Sequence, residues 1–162
     1  MLPLWDSQPH RRKPVMVALL ITACLVVFGW EVVQLTTSEP AFERWLTGHA
    51  LVPGRLVKGW TDPRQWETLL TSMFLHGGIA HLLGNCWFLW VFGNNVEDRV
   101  GSLGFGVFYL ICGVFAGLCQ VAVDPSSATP MIGASGAISG VLGAYLVWFP
   151  RSWVVSLVPW IV

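Results

Sequence analysis

Long apolar runs broken by short polar segments dominate the chain. Charged side chains are missing from 14–30, 68–96, 100–123, 125–150 and 152–162, and an apolar run of about 20 residues can cross a hydrocarbon core roughly 30 Å thick. The pattern predicts four crossing helices, at 14–35, 79–97, 101–123 and 132–149, and the start of a fifth over 152–162. Strands through the membrane are excluded. These runs lack the alternation of a barrel, and an open sheet edge in lipid would leave backbone groups unpaired.

The polar segments fill in the topology. Arg11, Arg12 and Lys13 abut the first crossing, so residues 1–13 read as a cytoplasmic tail by the positive-inside tendency. No small-residue cleavage pattern follows that crossing, which therefore reads as an uncleaved anchor. Residues 36–78 are too polar to span but interleave Phe42, Trp45, Trp60 and Trp66 with charges, which predicts a loop lying along the outer interface. Asp124-Pro125-Ser126-Ser127 is a turn between two crossings.

Composition supports a bilayer as the solvent. The 162 residues are 54% hydrophobic and 11% charged, against roughly a quarter charged in an average soluble domain. Nine basic residues are balanced by nine acidic ones, so there is no basic surface for nucleic acid and no nucleic-acid partner is expected. Cys24, Cys86, Cys112 and Cys119 all fall inside apolar runs, where they pack as small hydrophobes. The expectation is an all-α, multi-pass membrane protein.

The informative residues are the polar ones that lipid tolerates poorly, because they face a cavity or a partner. His76-Gly77-Gly78 leads into the second crossing, and His81 and Asn85, four apart, share one helical face. Gly133-Ala134-Ser135-Gly136 opens the fourth crossing. A serine in the first turn of a helix sits among free N–H groups at the positive end of the dipole, which suits an oxygen that must carry negative charge. The competing explanation is packing, since Gly136 with Gly140 and Gly133 with Ala137 have the small-residue spacing of membrane helix contacts. An alternating topology puts the starts of the second and fourth crossings at the same face, so Ser135 can meet His81 and Asn85. Glu97-Asp98-Arg99 closes the second crossing a membrane thickness away and reads as structural.

With these residues in place the chain resembles the rhomboid intramembrane serine proteases. The family's His, four residues, His, three residues, Asn corresponds to His76, His81 and Asn85; its Gly-x-Ser-Gly to Gly133–Gly136; its Glu-x-Arg to Glu97 and Arg99. The resemblance runs from about Pro14 onward and implies a six-helix core that cleaves membrane-anchored substrates near the outer face. By it, Ser135 is the nucleophile, while the side chains of His81 and Asn85 and the Ser135 backbone N–H form the oxyanion hole. His76 supports them by hydrogen bonding, and Glu97 and Arg99 brace the helix end. Transmembrane protein substrates and the lipid bilayer are the implied partners, with no cofactor and no metal. Where the family often has Trp-Arg in the outer loop, this chain has Trp66-Glu67.

One element of that chemistry is missing. The family's general base is a histidine on a sixth helix, whereas His10, His49, His76 and His81 are the four histidines here, and none lies on such a helix. A fifth helix over Ser152–Val162 would rise roughly 16 Å, about half of a crossing, so the expectation is a chain truncated before the sixth helix and inactive alone. Three alternatives stand beside the protease. They are a non-catalytic rhomboid-like membrane binding module, a His76/His81 metal or haem site without a nearby carboxylate, and a plain structural bundle.

Overall fold

The computed structural model describes residues 2–9 and 11–158. His10 of the expected tail and the last four residues of the expected fifth helix lie outside the described residues. Element order is β1 (Leu2–Asp6), α1 (Val15–Thr37), α2 (Glu39–His49), α3 (Pro53–Lys58), α4 (Pro63–Thr71), α5 (Ile79–Val100), α6 (Ser102–Val123), α7 (Ser135–Trp148) and β2 (Val154–Leu157). A 3-10 turn, Ser72–Phe74, joins α4 to the segment before α5.

Helices α1, α5, α6 and α7 pack as a bundle around Val17, Leu20, Leu89, Phe92, Phe105, Tyr109, Val141 and Tyr145. Glycines set how closely α6 and α7 approach. A Cβ at Gly140 would lie 2.4 Å from the Cys112 Sγ and 2.6 Å from its Cβ, and one at Gly136 2.7 Å from the Ala116 Cβ. The small-residue spacing therefore does pack helices, as in membrane bundles generally.

Two of the four expected crossings, α1 and α6, are long and apolar enough to traverse a bilayer. α5 has 22 residues, but its amides, imidazole and terminal charges lower its hydropathy. α7 has 14 residues, or about 21 Å at 1.5 Å per residue, short of a full hydrocarbon core. It starts three residues later than the apolar run because residues 131–133 are held extended. Leu51 and Met131 form an antiparallel bridge, Gly133 donates to the Ser72 carbonyl at 2.8 Å, and Gly133 has φ +114°.

The outer segment 36–78 is not a loose loop. Its three short helices place Leu51, Leu56 and Leu69 in a second apolar cluster against Val114, Val121 and Met131. Asp62 caps α4 by accepting from the Arg64 N–H, the usual N-cap arrangement.

The chain ends require a correction. Val154–Leu157 does not begin a fifth helix; it pairs antiparallel with Leu2–Asp6, so residues 2–6 of the expected tail and 154–157 of the expected half-crossing form one two-stranded ribbon. β-Branched Val154 and Val155 suit an extended chain. Ser7 and Trp153 extend the pairing, and the Trp87 indole donates to the Pro3 carbonyl, tying the ribbon to α5. The ladder satisfies backbone groups locally, so the half-crossing expected from Ser152 is not what these residues form.

The two ends of the bundle differ in chemistry. At one, the Glu97 carboxylate accepts from the N–H groups of Met16 and Val17 at 2.9 and 2.8 Å and from the Ser102 hydroxyl. It thereby caps the start of α1, while Arg99 lies 5.4 Å over the Trp148 ring at the end of α7. Glu97 and Arg99 thus hold two different helix ends. At the other end, Glu31 of α1 meets the segment just before α5.

Candidate active site

Ser135 is the first residue of α7, preceded by Ala134 as its N-cap, so its N–H belongs to the unpaired set at a helix start. The hydroxyl is exposed. One turn on, the Ser139 hydroxyl donates to the Ser135 carbonyl at 2.8 Å.

Ser135 lines a cavity of about 330 Å³ together with His81, Gly84, Asn85 and Phe88 of α5 and Leu142 of α7. The close approach depends on Gly133. A Cβ there would fall 2.6 Å from His81 Cε1, 2.7 Å from His81 Nε2 and 3.5 Å from Asn85 Nδ2, so only a glycine lets the strand before Ser135 lie against these side chains. Asn85 is 9% exposed, and its Nδ2 has no hydrogen-bond partner among the described residues. An unpaired buried donor costs about 1–3 kcal/mol, a cost explained if the donor is kept for an oxygen that arrives with a ligand. On its other side Ser135 borders a second cavity, of about 240 Å³, lined by Ser72, Met73, Gly113, Gln120 and Met131.

His76 is buried behind His81. Its ring meets the His81 ring edge-on, with centroids 5.3 Å apart and planes at 64°, and its Nδ1 is 3.1 Å from the Phe74 carbonyl. Burial pushes the His76 pKa below the usual histidine value; the Phe74 carbonyl opposes this and the neighbouring His81 adds to it.

Of the sequence-predicted residues, the fold brings His76, His81, Asn85 and Ser135 to one end of the bundle. His49 stays in α2, where Nδ1 lies 2.8 Å from the Trp45 carbonyl. Trp66 donates to the Trp60 carbonyl at 2.8 Å, and Glu67 is exposed. Sequence reasoning missed Glu31. It is 2% exposed, and its two carboxylate oxygens lie 3.2 and 3.3 Å from the His76 N–H. The signal was available: a lone carboxylate in an apolar span on the stripe Val17, Leu20, Cys24, Glu31, all buried and at helical spacing.

Comparisons with known proteins identify the family. The rhomboid domain matches residues 63–162, more than half of the chain. RHOMBOID-like protein 5 of Arabidopsis thaliana is 25% identical over 92% of this chain and 57% of its own length. Rhomboid protease GluP of Bacillus subtilis is 44% identical over 51% of this chain and 16% of its own length, and the chloroplastic Rhomboid-like protein 11 of A. thaliana is 39% identical over 54% and 31%. The chain thus spans 57% or less of the length of these relatives. No solved structure matches. The helix-start serine, the imidazole and amide that line a cavity with it, and a domain match covering all of them lead to one conclusion: this chain is a membrane protein that belongs to the rhomboid family.

Proposed function

We propose that this chain carries the nucleophile and oxyanion-binding parts of an intramembrane serine endopeptidase whose substrates are membrane-anchored proteins cut near the outer membrane face. Ser135 attacks the scissile carbonyl. The negative oxygen that develops is taken up by the Ser135 N–H, the Asn85 amide and the His81 ring, with His76 holding His81 from behind. Such donors act because they are fixed before the charge appears, and each contributes roughly a hundred- to a thousand-fold in rate. The observation that supports this reading best is that Ser135, His81 and Asn85 line one cavity and that the Asn85 Nδ2 is unpartnered within the described residues.

Serine is a weak nucleophile until a base takes its proton. Apart from His81, assigned here to the oxyanion hole, the described residues bring no imidazole to the cavity that Ser135 lines. Turnover therefore needs a base that these residues do not supply, and the 162-residue chain alone is expected not to cleave; for it, a non-catalytic membrane binding role is the second reading. The N-terminus is assigned to the cytoplasm of a bacterial cell, with Ser135 toward the opposite face.

A fluorophosphonate serine probe tests the assignment. In the full-length protein we expect labelling at Ser135, its complete loss in Ser135→Ala, and a ten- to thousand-fold slower rate in Asn85→Ala. Labelling or cleavage that survives in Ser135→Ala overturns the reading. Cleavage of a transmembrane substrate by the 162-residue chain, abolished by Ser135→Ala, overturns the requirement for another base.

A further inference from the structure

Glu31 is the only charged residue in the 23 residues of α1, six positions before its end, where no helix terminus needs capping. A carboxylate at such a position is expensive in a bilayer and is expected to serve a specific partner. Its partner is the backbone of another segment: both oxygens converge on the His76 N–H, at 3.2 and 3.3 Å. His76 lies between the 3-10 turn and α5, outside any regular helix, and is 4% exposed. Without Glu31 its N–H would be a buried donor in need of an acceptor.

The consequence reaches the cavity through two contacts. The His76 ring sits edge-on against the His81 ring at 5.3 Å, and the Gly133 backbone also lies close to His81, so that a methyl group there would come within 2.6 Å of the ring. His81, itself exposed, thus touches the ring of a residue whose backbone Glu31 holds from α1 and lies close to the backbone that leads into α7. We infer that Glu31 is a positioning residue, a carboxylate on α1 that locks the His76 backbone and through the His76 ring sets the orientation of His81 toward Ser135. It touches neither substrate nor reacting atoms. This rests on the reading of Ser135, His81 and Asn85 as a protease site, yet its first two links can be measured without any turnover.

The experiment compares wild type, Glu31→Gln, Glu31→Asp and Glu31→Leu in the full-length protein in lipid nanodiscs. Hydrogen exchange reads the His76 amide, ring NMR signals of isotope-labelled histidine read His81, and fluorophosphonate labelling reads Ser135. A hydrogen bond to a carboxylate corresponds to roughly ten- to hundred-fold protection, so Glu31→Leu is expected to exchange that much faster at His76, to shift or broaden the His81 signal, and to label about tenfold more slowly or worse. Glu31→Gln keeps an acceptor oxygen and is expected to restore all three. Glu31→Asp draws the oxygens back by one methylene and is expected to fall between, which keeps the test alive should Glu31→Leu fail to fold. Unchanged exchange at His76 in the Leu and Asp variants overturns the inference. So does an unmoved His81 signal, or a Gln variant no better than Leu. If wild type is not labelled while the exchange and His81 shifts occur as expected, the positioning contact stands and only the nucleophile assignment falls.

Discussion

Replacing Gly133 by alanine probes the approach on which the site geometry depends. The new Cβ would meet His81 Cε1 at 2.6 Å and Nε2 at 2.7 Å, whereas carbon atoms rest about 3.5–4.0 Å apart. The imidazole, or the backbone before Ser135, must therefore move by about 1 Å. The His76 ring, with its centroid 5.3 Å away, limits movement of the imidazole toward it. Gly133 also has φ +114°, a region that costs a non-glycine residue about 1–3 kcal/mol. A displacement of 1 Å in a reacting constellation can cost about a hundred-fold, and a lost oxyanion donor a hundred- to a thousand-fold. We expect Gly133→Ala in the full-length protein to lower the fluorophosphonate labelling rate of Ser135 by about a hundred-fold or more and stability by about 1–3 kcal/mol. Gly29→Ala, where an added Cβ meets nothing within 4 Å, should leave both unchanged. Labelling of Gly133→Ala within about threefold of wild type would refute the claim that Gly133 gates the approach of Ser135 to His81.

Three further outcomes follow from the packing. Gly140→Ala drives a methyl onto the Cys112 Cβ and Sγ and should lower thermal stability by about 1–3 kcal/mol; an unchanged unfolding temperature in that variant would refute the α6–α7 contact. Glu97→Ala strips the acceptors from the N–H groups of Met16 and Val17, at about 1–3 kcal/mol for each donor left unpaired, and should fray the start of α1 in hydrogen exchange without touching the other end of the bundle. Because burial lowers the His76 pKa below 6.5, acidification protonates the unfolded chain before the folded one. The stability from neutral His76 is therefore complete above that value and lost as pH falls below it. His76→Asn should flatten the acid side of a stability profile, and an identical profile in that variant would exclude His76 as the group responsible.

The hydrophobic pattern by itself determined where the long helices run, because a carboxylate or guanidinium in lipid is too costly to be placed at random; the starts of α5 and α6 and the end of α1 fall within two residues of the positions read from charge. It also singled out His76, His81, Asn85 and Ser135, since polar groups in apolar runs stand out, and the spacing of His81 and Asn85 fixes a common helical face. Three things needed the tertiary structure. The start of α7 is set by a bridge to Leu51 and a hydrogen bond to Ser72, partners more than 50 residues away in sequence, so the apolar run alone overextended it. The ribbon of Leu2–Asp6 with Val154–Leu157 joins the two ends of the described chain; a strand is stabilised by its partner, and four residues carry no periodicity that names one. Glu31 was visible as a charge but not as a contact, because what it does depends on α1 lying beside the segment before α5, and such a neighbourhood arises only when separate helices pack.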